Sequence, residues 1–446
     1  MEEEIKLKTQ IKNVWKLSIP AILTQITSII MQYIDSAMVG ALGADASAAI
    51  GLVSTSTWLL GGLVTATSIG YSVQIAHACG AKDYPHARKV LRHGLVVSMI
   101  ASIILLMIGS LISIPLPMIL RADQSIWTDA SLYFLVFSLS LPFMQLNSIS
   151  SMSLQCSGNM IIPSILNSSM CLLDVLFNAI FIPRFGVFGA AIGTSLATVV
   201  ISIVMFYFCC FFKKELRLTN KDYTKFDKSI ILRALKIGTP VGVEQAAISG
   251  AMVVSTFILA PVGNISIAAN SFAVTAESLC YMPAFGMGTA ATTLVGQAIG
   301  AGNYNLSKRY ANLSVILGTS LMLVMSTIMF IICPFVFKML TPDQSVQDMA
   351  VTVLRIGMIA EPLYGVSIIA SGALRGALDT LVPSIMNLCS IWIVRLSLAF
   401  ILVGSLGLVG IWIANSVELS FRGIIMFIRL KTSKHFVRIK NEIVID

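Results

Sequence analysis

The stretch HACGAKDYPHARK, residues 77–89, returns 220 residues later as QAIGAGNYNLSKR, residues 297–309. Glycine recurs at 80 and 300, alanine at 81 and 301, tyrosine at 84 and 304, and two basic residues close each copy. The same offset lays Lys16, Pro20 and Gln25 over Lys236, Pro240 and Gln245. It also lays LQCSGNMIIPSILN from Leu154 over LRGALDTLVPSIMN from Leu374, so that Pro163, Ser164, Ile165 and Asn167 recur as Pro383, Ser384, Ile385 and Asn387. At an offset of 221, Gly186, Gly189 and Ser195 meet Gly407, Gly410 and Ser416. A register held this far marks a duplicated chain.

Apolar runs fill the space around these motifs. Of the 446 residues 56% are hydrophobic and 11% charged, against roughly a quarter charged in soluble domains, which excludes a water-soluble fold. Runs of helical length begin near residues 16, 46, 90, 128, 160, 187, 230, 265, 312, 345, 380 and 408, and the strict alternation of a membrane β-barrel is absent. The expectation is an all-α polytopic membrane protein of twelve transmembrane helices in two six-helix repeats. Six is even, so the repeats are parallel and related by a pseudo-two-fold along the membrane normal, a plan associated with transporters. Residues 1–212 form the N-terminal lobe, 213–228 a basic cytoplasmic linker, and 229–446 the C-terminal lobe with a basic tail.

Alternate assignment of helix ends places 25 of the 30 Lys and Arg on one side and only Arg121, Arg184 and Lys338 on the other. Arg355 and Arg395 lie in or near spans. Both termini are therefore expected in the cytoplasm. The net charge of +9 reads as an insertion signal with attraction to the lipid bilayer, not as nucleic acid binding. The eight cysteines have no paired spacing and read as small hydrophobes. The apolar run after Pro20 is too long for a signal-peptide core, so it reads as a retained first span. No phosphate-binding loop, zinc-protease helix or nucleophile elbow occurs, so neither an enzyme nor a cofactor is expected. GxxxG at 238–242, 296–300 and 372–376 allows close helix approach.

Carboxylates retained inside spans are informative, because each costs at least ~2.5 kcal/mol even on a lenient insertion scale. Gln25, Ser28, Gln32 and Asp35 are spaced to share one face of the first span; that face lines a wet cavity or bonds a neighbouring helix. Asp174 lies mid-way along the fifth span with Asn178 one turn later. With Asp35 they offer oxygens to a proton or Na⁺, the alternative being a structural bond between helices. The repeat puts Ser255 opposite Asp35 and Thr24 opposite Glu244, moving the intramembrane acid by about 16 Å of helix. Asp35 then serves the ion, while Glu244, beside Gln245, serves substrate, a gate or packing. Glu277, Glu361 and Arg395 are secondary candidates of the same kind, and Glu418 and Arg422, four apart, read as a local ion pair. Met31, Met282 and Met287 suit an adaptable substrate cavity or ordinary core and lipid contacts.

These motifs resemble those of the multidrug and toxic compound extrusion (MATE) family, with a bacterial DinF-like member as the nearest type. The resemblance runs from about residue 15 to 430. It rests on QYIDSAMVGALG from Gln32, CGAKDYPHARK with its echo LVGQAIGAGNYNLSKR, LLDVLFNAIFI with FGVFGAAIGTS, and SGALRGALDTLVPS from Ser371. It implies a secondary antiporter that exports small organic, often cationic, compounds against inward H⁺ or Na⁺. It further implies that Asp35 carries the coupling ion, that Asp174 joins it, and that Thr194 belongs to the cluster, with Na⁺ at Asp35, Asp174 and Thr194 as the metal-ion alternative to H⁺. A common family pattern has Asn four residues before the fifth-span Asp. Met170 stands there, which removes an oxygen ligand and favours H⁺ slightly, unless Asn178 substitutes.

The resulting expectation is a rocking two-lobe exporter, monomeric, in the cytoplasmic membrane, with gating or substrate contacts at Gln25, Gln32, Met31, Glu244, Gln245, Glu277, Met282, Met287 and Glu361. The alternative is a lipid-linked oligosaccharide flippase of a related fold. Its pyrophosphate-bearing cargo calls for Lys and Arg in the cavity, and basic residues are nearly absent from the spans.

Overall fold

The duplication is written into the backbone. Every described residue with a left-handed φ has a counterpart in the other half: Gly43 (122°) and Gly263 (107°), Lys82 (59°) and Gly302 (72°), Gly158 (89°) and Leu378 (65°), Gly186 (59°) and Gly407 (57°). Around Lys82 and Gly302 the hydrogen bonds repeat as well. Asp83 N donates to Ala78 O and Asn303 N to Ala298 O, each at 2.9 Å, and the side chains of Asp83 and Asn303 then cap the next helix by accepting from His86 N and Leu306 N, each at 3.0 Å. CGAKDY and IGAGNY are thus one turn built twice.

The computed structural model describes residues 2–120, 122–219 and 226–436, with side chains from residue 6. Arg121, linker residues 220–225 and the tail that contains Lys440 lie outside the described residues. The principal elements are α1 (Glu2–Gly40), α2 (Ala44–Gly80), α3 (Tyr84–Ser113), α4 (Trp127–Cys156), α5 (Ile161–Tyr207), α6 (Lys228–Leu259), α7 (Asn264–Gly300), α8 (Tyr304–Leu340), α9 (Gln344–Gly376), α10 (Leu381–Cys389) and α11 (Leu396–Thr432). A π-helical segment, Ser390–Arg395, joins the last two.

Among the described residues nine helices are long and apolar enough to cross a membrane, which makes the chain an all-α multi-pass membrane protein. The difference from the twelve expected spans has a physical reason. Two of the nine, 161–212 and 381–432, are 52 residues long and each contains a non-helical glycine, Gly186 or Gly407, at the point where the hydropathy pattern starts a new span. The span expected near residue 265 falls on α7, a 37-residue helix whose Ser, Thr, Ala and Gly content keeps it outside the nine.

The chain divides into two compact units: Ile26–Ser249, termed the N-unit, and Met1–Gln25 with Gly250–Asp446, termed the C-unit. The linker at 213–228 is therefore not where the units part; they part inside α1 and α6. Small residues explain why. In the C-unit a Cβ on Gly286 of α7 would stand 2.6 Å from Ile22 N of α1. In the N-unit a Cβ on Gly238 of α6 would stand 2.7 Å from Ala66 O of α2, in the first of the GxxxG spacings. Backbones approach this closely only where side chains are minimal.

Within the N-unit α4 packs on α2, α3 and α5; within the C-unit α9 packs on α7, α8 and α11. The cores follow these contacts. Ile75, Leu91, Ile149 and Met205 lie in one N-unit cluster, and Met287, Met322, Ile369 and Met426 in one C-unit cluster. The end of the linker is fastened to α3: Lys89 Nζ lies 2.7 Å from Asp227 Oδ2, and Asp227 N donates to His93 Nε2 at 2.8 Å. His93 Nδ1 then donates to Lys89 O at 2.8 Å. No disulfide forms among the eight cysteines.

Candidate ion and substrate sites

Asp35 comes from the last turns of α1, and Asp174 and Asn178 from one face of α5 at helical spacing. Asn178 Nδ2 donates to Asp35 Oδ1 at 2.9 Å and to Asp174 Oδ2 at 3.2 Å, so one carboxamide joins two carboxylates from two helices. Asp174 and Asn178 are fully buried. Asp174 Oδ1 and Asn178 Oδ1 have no hydrogen-bond partner, an arrangement that leaves acceptor oxygens ready for a cation. Gly193 leaves room for the amide, since any Cβ there would run into Asn178 Oδ1. Thr194 follows directly, and its carbonyl accepts from Thr198 Oγ1 at 2.9 Å. Tyr133 of α4 lies within electrostatic reach of both Asp35 and Asp174. The same two helices, α1 and α5, also meet where the hydroxyls of Thr27 and Ser168 are 3.3 Å apart.

A second polar cluster occupies the C-unit. Glu361 of α9 is fully buried with neither carboxylate oxygen partnered, and Glu277 of α7 is buried with Oε1 unpartnered. The two acids lie within electrostatic reach of each other. The ion pair expected of Glu418 and Arg422 forms at 3.0 Å. Glu418 does more than that spacing suggests: it also pairs with Arg395 Nη2 at 3.3 Å and accepts from Ser390 Oγ at 2.7 Å. The Arg422 guanidinium sits 5.1 Å from the centre of the Tyr364 ring.

The sequence matches MatE over residues 20–180 and 240–401. The chain belongs to the MatE family. Its curated relatives include a probable multidrug resistance protein NorM of Thermotoga maritima, 27% identical over 420 residues that cover 92% of this chain and 90% of the relative. A probable multidrug resistance protein YoeA of Bacillus subtilis is 23% identical over 408 residues, 89% of this chain and 88% of the relative. The fold is that of a crystal structure of MATE in complex with MaL6 (TM-score 0.90, 22% identity, 95% of this chain and 96% of the other). It is equally close to the outward-facing conformation of a multidrug resistance MATE family transporter of the MOP superfamily (TM-score 0.90, 22% identity, 95% of both chains).

In this MatE chain the remaining candidates distribute as follows. Gln25 closes the C-unit's share of α1, and its repeat partner Gln245 packs in the N-unit against Gly62, where no Cβ fits. Gln32 is exposed on the same helix as half-buried Met31, Glu244 is buried on α6, and Met282 is half-buried on α7. Met287 takes the core alternative of its reading. It is fully buried in the apolar core of the C-unit and lines no open surface, because it lies on the α7 face that packs against α8 and α9. Sequence reasoning passed over Gly193 and Tyr133. The four-residue spacing of Gly189 and Gly193 was a usable signal for the first; nothing marked the second.

Proposed function

We propose that this MatE-family chain is a secondary active multidrug efflux antiporter, exporting organic, often cationic and lipophilic compounds in exchange for H⁺ or Na⁺ by rocking alternating access. The joining of Asp35 and Asp174 through Asn178 is the observation that carries this reading. Two carboxylates drawn from water demand positive charge, and the coupling ion supplies part of it. Ion and cationic cargo compete for the same negative charge, so occupancy by one weakens the other, and that difference in affinity couples their movements. Asp35 takes the ion, Asp174 and Asn178 hold it, and Thr194 completes the oxygen set. Gln25, Gln32, Met31, Glu244, Gln245, Glu277, Met282 and Glu361 face cargo or gate its path. The reading places a monomer in the cytoplasmic membrane with both termini in the cytoplasm, needing an ion gradient and no other cofactor.

The test uses proteoliposomes loaded with a fluorescent lipophilic cation, with efflux driven by a pH gradient or by a Na⁺ gradient. Efflux under one gradient, lost in Asp35→Asn with folding retained, is the expected result and names the ion. Efflux at wild-type rate in Asp35→Asn overturns the assignment of the coupling site.

A further inference from the structure

The two halves keep an offset of 220 through Asn167 and Asn387 and an offset of 221 from Gly186 and Gly407 onward. One residue has therefore been inserted between, and the structure shows where: Ser390–Arg395 is π-helical, the form a helix takes when it absorbs a single extra residue, while the corresponding part of α5 is regular. At the last residue of that segment, counted back from the glycines in the later register, Arg395 takes the place of Asp174, twelve residues before Gly407 as Asp174 is twelve before Gly186. Asn178 corresponds to Ala399 and Asp35 to Ser255. A basic residue thus stands in the C-unit at the position that carries an acid in the N-unit.

The contacts of Arg395 give this inversion a use. Its guanidinium pairs with fully buried Glu418, with Arg422 on the same carboxylate, and acts electrostatically on Glu277. The charged groups of the cluster are Glu277 on α7, Glu361 on α9, Glu418 and Arg422 on α11, and Arg395 itself, with Tyr364 beside them. Three carboxylates meet two guanidiniums, so one carboxylate charge remains without a fixed partner. Buried carboxylates without a partner acquire a cation, usually a proton.

We propose that Arg395 is a tethered cation, seated by the π-helical insertion where the repeat would otherwise place a second ion-binding acid, and that it limits the C-unit cluster to a single mobile cation. It is a positioning residue: it acts on ion stoichiometry through the carboxylates. The consequence for transport rests on the antiporter reading, whereas the cation count does not.

The experiment counts protons bound per chain by potentiometric titration of the purified full-length protein between pH 5 and 9, without added Na⁺. Arg395→Gln is expected to hold one proton more than wild type near neutral pH, Arg395→Lys the same number, and the double variant Arg395→Gln with Glu418→Gln the wild-type number again. Should Arg395→Gln prove too unstable to titrate, the double variant decides: a wild-type count supports the proposal and an excess proton overturns it. An unchanged count in Arg395→Gln, or a gain in Arg395→Lys, also overturns it. Asp35→Asn, titrated alongside, reports on the N-unit alone, so failure of the Arg395 assignment is distinguishable from failure of the coupling site.

Discussion

Asn178 and Asp35 are 143 residues apart in the chain and 2.9 Å apart in space, Nδ2 to Oδ1. The same nitrogen serves Asp174 from one turn away on its own helix. The carboxamide therefore fixes the separation of two acids that would otherwise repel.

Removing it should show. A hydrogen bond to an ionised group contributes ~1.5–3 kcal/mol, so Asn178→Ala is expected to slow gradient-driven dye efflux by about 10-fold or more, read as the initial rate in proteoliposomes. A rate equal to wild type would mean that the amide is dispensable.

Gly193→Ala tests the support behind that amide. A methyl group there must displace Asn178 Oδ1, and overpacking of this kind costs about 1–3 kcal/mol. The variant should melt lower than wild type and share the transport defect of Asn178→Ala. Gly61→Ala, where a Cβ meets nothing within 4 Å, should do neither.

The repeat-related turns offer a test in which space plays no part. A Cβ on Gly43 or on Gly51 meets nothing within 4 Å. Gly43, however, has φ 122° and ψ 178°, a region essentially reserved for glycine, where another residue costs of order 1–3 kcal/mol. Gly51 lies inside α2, where alanine gains up to about 1 kcal/mol. Thermal unfolding in detergent should move down for Gly43→Ala and up for Gly51→Ala.

The fastening of the linker to α3 should depend on pH. Lys89 beside Asp227, helped by Ser229, holds the Asp227 carboxyl well below the usual carboxylate range. A depressed folded value means that this stabilisation is complete above the ordinary value of 3.8 and is lost as pH falls through the lower, folded one. Proteolytic nicking of the linker by an acid-active protease should therefore rise as pH drops below about 4, and Asp227→Asn should be nicked readily at every pH.

Much of this architecture is legible in the sequence, and the exceptions are instructive. The offset of 220 gives the duplicated turns because a left-handed φ needs a particular local sequence, and the acids of Asp35 and Asp174 stand out against an apolar background. The change to 221 is equally visible, yet its location is not, since a π-helical turn has no composition of its own; Arg395 consequently reads as a secondary candidate with no counterpart in the first half. The parting of the units inside α1 and α6 has no marker either. Pro20 and Pro240 lie within continuous helices, and what decides the parting is contact with Gly286 and Ala66, far away in sequence. Met287 keeps two readings in the sequence because its chemistry suits a binding cavity and a core alike, and only packing separates them.

The parting of α1 and α6 bears on how such a protein is made. Because each unit borrows its opening arm from the other half of the chain, the product of either half-gene, cut at the linker, is short of a piece of its own core and exposes the groove meant for the missing arm. Expressed alone, the 1–212 and 229–446 fragments are expected to aggregate; expressed together, each supplies the arm the other lacks. The duplication is in effect a heterodimer with exchanged arms, and the basic linker keeps the two copies in a fixed ratio of one to one.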